Sequence, residues 1–481
     1  MTLDGPFHMK LVPTIGLETH VQLNTRTKIW CGCEVRSDAP PNSLVCPVCL
    51  GYPGSLPVLN REAVRKTVIT GMLLGCGIAR VSKHDRKSYF YPDMPKNYQI
   101  TQYDQPLCLG GGIEIEVNGV KKFIRINRIH LEEDVGKSTH LRGASGIDYN
   151  RAGTPLMEIV TEPDLHSEDE AFAYLNALKS ILQYGGVSRC NLEEGNIRCD
   201  INISVAAEGA EKLGVKAEIK NMNTFRGVHR AMGYEIRRQM KAVSAGETLV
   251  QETRRWDDEA GVTRSMRGKE DSHDYCYFPD PDLGSILLDG AELAAWREEL
   301  PELPAARRLR FVEKHKLPAY DAGVLVADKE IADYFEAAAG ENPKAAANWV
   351  MTEVMRVLSE KDAGIAAFGI PPADLAALIR LVDAGTLNST KAKEVFAVML
   401  EEGGRPAGIV QARGLAQVSD GGAIEKFVEQ VIAENPNVVQ DYRNGKDAAL
   451  QFLMGQVMRL SRGKANPPMV LDLMKQKLAN P

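Results

Sequence analysis

Arg198-Cys199-Asp200-Ile201-Asn202-Ile203-Ser204-Val205 decides the fold of the first half of this chain. Apolar residues (Cys199, Ile201, Ile203, Val205) alternate with polar ones (Arg198, Asp200, Asn202, Ser204). A period of two puts the sets on opposite faces of a pleated strand, one buried and one open. The pattern recurs over 14–23, where Ile15, Leu17, Val21 and Leu23 oppose Glu18, His20 and Gln22. It recurs again over 215–220, with Lys216, Glu218 and Lys220 outward. Between residues 113 and 126, Asn118-Gly119 joins two alternating runs and predicts a hairpin.

Helices interrupt these strands. Ser167 and Glu170 have capping-box spacing before Phe172, Leu175, Leu178 and Leu182. Val228, Met232, Ile236 and Met240 mark a second helix at i, i+4 spacing. After Leu300-Pro301-Glu302-Leu303-Pro304 strand patterns largely disappear, and Ala-rich helical segments dominate. A second break falls at Gly403-Gly404-Arg405-Pro406. The tail beyond it holds an amphipathic helix with Ile424, Phe427, Val428, Val431 and Ile432, ended by Asn435-Pro436. The expectation is an α+β multidomain protein: a mixed-sheet part, then two all-α parts.

A length of 481 residues exceeds a single core and suggests several domains. No apolar run of membrane-spanning length occurs, and Met1–Lys10 lacks the apolar core of a signal peptide, so a cytoplasmic location is the default. Nine cysteines in that compartment are not read as a disulfide framework. A net charge of −6 argues against a uniformly cationic protein. The segment 443–481 nevertheless carries seven cations against Asp447 and Asp472, a local excess of +5 before the terminal carboxylate.

Cys31-Gly32-Cys33 and Cys46-Pro47-Val48-Cys49, twelve residues apart, suit a closed tetrahedral Zn²⁺ site of four thiolates. The bland alternative is four unrelated thiols. Cys76, Cys108, Cys190, Cys199 and Cys276 read as ordinary packing. A second set is acidic: Glu18 with His20, Glu132-Glu133-Asp134, Glu158 and Asp200. Hard oxygen donors with an occasional imidazole suit Mg²⁺ bridging phosphates, although an isolated acid is more often solvated surface. Strand parity from Arg128 and His130 ranks Glu132 above Glu133. A third signal is the run from Arg86 to Gln99, where cations, aromatics and two prolines alternate in a predicted stiff, non-helical loop. It suits either a phosphate clamp with a stacking surface or a surface loop over packed aromatics. Lys87 and Lys96 are its candidate phosphate cations. No Walker A sequence is present, because Leu131 stands where the first Gly is required ahead of Gly136-Lys137-Ser138.

At Asp148-Tyr149-Asn150-Arg151-Ala152-Gly153-Thr154-Pro155-Leu156-Met157-Glu158-Ile159-Val160-Thr161-Glu162-Pro163 the chain resembles the GatB family, whose members form one part of the aspartyl/glutamyl-tRNA amidotransferases. The resemblance extends through Gly16–Leu23, Tyr91–Gln99, Glu218–Asn223 and Gly463–Pro467, almost the whole chain. It implies a cradle-like, kinase-type domain (1–292), a helical domain (293–407) and a YqeY-like, tRNA-binding tail (408–481). It also implies ATP and Mg²⁺ as cofactors. The implied partners are an amidase, GatA, and a small protein, GatC, in a heterotrimer, and the implied substrate is misacylated tRNA(Gln) or tRNA(Asn). Carried over by position, Glu18, His20, Glu132, Glu133, Glu158 and Asp200 are the expected catalytic set. Glu18, His20, Glu132, Glu158 and Asp200 are the expected Mg²⁺ ligands. Arg151 joins Lys87 and Lys96 as a phosphate contact, and Arg459, Arg462 and Lys464 are expected tRNA contacts. The expected activity is ATP-dependent activation of the side-chain carboxylate, then amidation with ammonia from the partner. The rival reading is a non-catalytic tRNA-binding scaffold.

Overall fold

The computed structural model describes residues 10–192, 194–220, 222, 224–268, 275–416, 421–461 and 465–479. Arg462 and Lys464, and Asn221 and Asn223 of the Glu218–Asn223 run, lie outside them. The chain divides into two compact units, 1–304 and 305–481.

The strands that shape the first unit are β1 (Leu11–Gln22), β2 (Asp85–Ser88), β3 (Tyr98–Thr101), β4 (Val120–Glu133), β5 (Pro155–Thr161), β6 (Ile197–Ala207), β7 (Ala217–Lys220), β8 (Glu252–Asp257), β9 (Val262–Gly268) and β10 (Tyr277–Pro279). Its main helices are α1 (Arg61–Leu73), α2 (Glu168–Tyr184) and α3 (Phe225–Ser244). A ten-stranded sheet runs β9-β8-β7-β6-β1-β5-β4 and continues through two short strands, Cys108–Leu109 and Gly77–Ile78, with Gly112–Val117 as the tenth, branching off β4. β7 and β8 pair in parallel. The pairs that place β1 are antiparallel: it lies between β6 and β5, and β5 then pairs with β4.

One face of this sheet is sealed. Ile15, Leu17 and Val21 of β1, Ile201 and Ile203 of β6, and Met157 and Ile159 of β5 join a core with Tyr174, Leu175 and Leu178 of α2 and Val228 and Met232 of α3. The expected hairpin is present: Gly112–Val117 pairs with the start of β4, and Asn118 and Gly119 take positive φ of 52° and 78° at the turn. The cap of α2 differs in one detail from the predicted box. Ser167 Oγ accepts from Glu170 N at 3.1 Å, whereas Glu170 Oε2 accepts from His166 N rather than from Ser167.

The Arg86–Gln99 run departs from its predicted loop character. Its two ends are strands β2 and β3, and β2 pairs on its other side with β10, nearly 200 residues away. The sequence hid this because the third strand of the small sheet comes from a distant three-residue segment.

The second unit is helical. Among its described residues no strand occurs. One apolar cluster spans Phe311 to Leu415, and another gathers Ile424, Val428 and Val431 with Leu453, Val457, Val470 and Met474. Among the described residues no helix is long and apolar enough to cross a membrane.

Candidate active site and cysteine cluster

The open face of the sheet carries the polar half of the alternation, and register brings residues far apart in sequence side by side. His20 lies opposite Arg198 on β6 and opposite Glu158 on β5, and Glu158 lies opposite His130 on β4. One pleat along, Glu18 lies opposite Asp200. His20 Nε2 is 3.2 Å from Glu158 Oε2 and 3.7 Å from Glu132 Oε1. His130 Nε2 is 3.7 Å from a carboxylate oxygen of each glutamate. Ligand atoms of His20, Glu132 and Glu158 all lie within 4.8 Å of one another, a group able to hold a metal ion.

These three side chains line a cavity of about 290 Å³ with Lys87, Tyr89, Gln99, Arg198, Asp200 and Lys220. That volume is at the small end for ligand pockets. Asp200 accepts from Lys220 Nζ at 3.0 Å. Glu18 points one pleat further, where Asn202 Nδ2 donates to it at 3.1 Å. The residues expected to be catalytic therefore divide. His20, Glu132 and Glu158 form one candidate ligand set, Asp200 flanks it with a lysine, and Glu18 stands beside it.

Glu133 also borders the cavity, but its carboxylate is engaged outside the His20–Glu132–Glu158 group. It is 1% exposed, and its carboxylate accepts from Lys96 Nζ at 2.6 and 2.7 Å and from Ile100 N at 2.9 Å. Lys96 is thus committed to an ion pair. Arg151 is similarly spent: Nε donates to Val135 O and Nη2 to Gly136 O, both at 2.9 Å. Of the three expected phosphate contacts, Lys87 alone lines the cavity.

Charge inside the cavity is nearly self-compensating. Burial disfavours a charged His20, but the hydrogen bond to Glu158 and the charges of Glu132, Glu158 and Asp200 overcome it and push its pKa up to about 9. Burial likewise opposes ionisation of Glu158, yet His130, His20 and Arg128 hold it below the usual carboxylate range. For Glu18, burial, then Glu158, Glu218 and Asp200, raise the pKa and outweigh the lowering charge of His20. Burial opposes the charge of Lys220, but Asp200 and Glu218 keep it firmly protonated.

Three basic residues at or beside the cavity were not among the expected site residues: His130, Arg198 and Lys220. Asp134 is buried and braced by Arg198 at 2.7 Å and by Gln22 at 2.8 Å. Arg198 and Lys220 occupy polar-face positions of alternating strands, so the rule that found Asp200 would have found them.

The sulfurs of Cys31, Cys33, Cys46 and Cys49 also gather within 4.8 Å of one another, a second group able to hold a metal ion. Cys46 N donates to Cys49 Sγ at 3.1 Å, and the fully buried Lys28 places Nζ 3.5 Å from the same sulfur. Lys28 Nζ also donates to Tyr149 O at 3.2 Å. The next turn contains Gly153, with φ of +82°, a conformation that side chains other than Gly rarely adopt. A Cβ there would already touch Lys28, Cys49 and Glu133. The cysteine loop therefore packs directly behind the turn that leads into β5 and Glu158.

The chain belongs to the GatB family. The GatB/GatE catalytic domain model matches residues 13–294, and a GatB domain model matches 333–478. The B component of the aspartyl/glutamyl-tRNA(Asn/Gln) amidotransferase of Caldicellulosiruptor bescii is 50% identical over 98% of this chain and 99% of its own length. Its counterpart in Trichlorobacter lovleyi is 50% identical over 98% and 100%, and that in Prosthecochloris aestuarii 52% identical over 96% and 97%.

If Lys96 serves Glu133 rather than a ligand, Lys96→Met should destabilise the first unit by about 3–5 kcal/mol, because it strands a buried carboxylate. Lys96→Met combined with Glu133→Leu should recover much of that loss in urea unfolding. A double variant no more stable than the single one would contradict the assignment.

Proposed function

We propose that this chain is the carboxylate-activating component of a tRNA-dependent amidotransferase, a carbon–nitrogen ligase acting on Glu-tRNA(Gln), Asp-tRNA(Asn) or both. The observation that carries this reading is the meeting of His20, Glu132 and Glu158 with Asp200, Arg198 and Lys220 in one small cavity. The names of its relatives give the substrate class and describe one part of a larger enzyme.

A free carboxylate resists attack by ammonia because oxide is a very poor leaving group. In the proposed reaction an oxygen of the substrate's side-chain carboxylate attacks the γ-phosphorus of ATP. The bond to the β-phosphate oxygen breaks, and ADP departs. Ammonia then attacks the acyl carbon, inorganic phosphate leaves, and a proton is lost to give the amide. A partner amidase, GatA, would supply the ammonia, with the small protein GatC completing a heterotrimer.

Two carboxylates and an imidazole fit a hard divalent ion, so His20, Glu132 and Glu158 would hold Mg²⁺, with Asp200 beside it. When bound, Mg²⁺ neutralises phosphate charge and eases nucleophilic attack at phosphorus. Lys87, Arg198 and Lys220 add fixed cations to the walls against which phosphate oxygens would rest. Asp134 holds Arg198 in place. Arg151 acts through the backbone, bracing the Val135–Gly136 turn.

Zn²⁺ is the metal proposed for the four cysteines, since the thiolate donor set is closed and soft. A chelator that removes one Zn²⁺ per chain should make the 31–54 loop protease-sensitive. A metal-free preparation with an equally resistant loop would contradict a structural zinc.

Part of the tail's positive charge is neutralised by acids of the tail itself. Lys446 pairs with Asp441, and Lys477 with Glu425 and Glu429, acids outside the counted segment. Arg459 is exposed at the end of its helix and is the described tRNA candidate there.

In the assembled enzyme, Glu158→Gln should lower tRNA-dependent ATP turnover by at least a hundredfold while tRNA affinity stays within a few-fold, as expected when a transition-state contact is lost. Wild-type turnover in that variant would favour the scaffold reading instead.

A further inference from the structure

The small sheet formed by β10, β2 and β3 brings a second chemistry to the mouth of the acidic cavity. Strand alternation puts Lys87 and Tyr89 on one face of this segment, and register sets Tyr277 opposite Lys87 and Gln99 on its other side. Lys87, Tyr89 and Gln99 line the cavity, and Tyr277 is near enough for Glu132 and Glu158 to act on its phenol. The rings fall into two contacting groups. Tyr91 and Tyr89 have centroids 6.1 Å apart, Tyr89 and Tyr275 6.4 Å, and Tyr277 stacks on Tyr103 at 4.2 Å with planes 15° apart. Lys87 Nζ stands 4.6 Å from the centre of the Tyr275 ring.

Much of this aromatic surface faces solvent. Tyr103 is 60% exposed, Tyr91 49% and Tyr275 42%. Aromatic rings gathered in the open around a polar cavity mark a contact surface. Exposed rings interleaved with a cation suit unpaired nucleotides, whose bases stack on any aromatic face while phosphates meet the cation.

We infer that Tyr91, Tyr89, Tyr275, Tyr277 and Tyr103, with Lys87, form a stacking platform for the unpaired 3′ nucleotides of the tRNA substrate. The inference rests on the reading proposed above, in which the reacting carboxylate enters this cavity on the end of a tRNA. The side-chain carboxylate of an amino acid esterified through its α-carboxyl to the last nucleotide can reach the His20–Glu132–Glu158 group only if the final bases lie across its mouth, and the rings occupy part of that rim. Tyrosine is also common at protein interfaces. The single-stranded RNA is favoured because the rings reach the cavity at Tyr89 and are interleaved with Lys87.

The test uses the assembled amidotransferase and two probes: the cognate tRNA, and the same tRNA lacking its unpaired 3′ nucleotides. Tyr275→Ala and Tyr103→Ala should each weaken binding of the intact tRNA about tenfold, the scale of one lost base stack, and leave the truncated tRNA unaffected. Tyr275→Phe and Tyr103→Phe, which keep the ring, should restore affinity. Equal effects on both probes, no effect on either, or failure of the Phe variants would overturn the platform. Loss of heterotrimer assembly with intact-tRNA affinity retained would reassign the rings to a protein partner and overturn it too. A wild-type enzyme with no tRNA-dependent ATP turnover would instead defeat the functional reading beneath it.

Discussion

Everything at the candidate site depends on the pleat of β1 held in register between β6 and β5. Ile15, Leu17 and Val21 are buried almost completely against the helices, which leaves Glu18, His20 and Gln22 the other face. A slip of one residue would exchange the two faces and bury the charges. The hydrophobic half of the strand thus places the chemical half. The same constraint acts on β6, where Ile201 and Ile203 are wholly buried and Asp200 is left to the cavity.

Given that placement, the charges are arranged to be tolerated together. Glu132 is nearly inaccessible and Glu158 is mostly buried, yet His20, His130 and Arg128 stand within 4 Å of their oxygens. Asp134 is matched by Arg198, Glu133 by Lys96, and Asp200 by Lys220. Isolated, any of these carboxylates would be costly to bury. The cysteine loop adds support from behind through Lys28, whose ammonium links Cys49 to the Tyr149 carbonyl.

Much of this was legible in the residues. Alternation identified β1 and β6, and parity separated Glu132 from Glu133 before either had a neighbour. The pairing of Cys31 and Cys33 with Cys46 and Cys49 was visible from spacing. What stayed hidden was partnership at long range. Lys96 and Arg151 look like free cations in sequence, but Glu133 and the Val135 and Gly136 carbonyls claim them. The basic count of the tail overlooked Glu425 and Glu429, which lie on a different helix. Tyr277 of β10 had no periodic signal, since a three-residue strand is too short to show one.

The central claim is that His20 and the two glutamates share one divalent ion. Mn²⁺, a spectroscopic substitute for Mg²⁺, tests it in the presence of ATP by pulsed electron paramagnetic resonance. The account predicts coupling to one imidazole nitrogen in the wild-type enzyme and its disappearance in His20→Gln. Bound Mn²⁺ with no nitrogen coupling, or with coupling that survives His20→Gln, would contradict it.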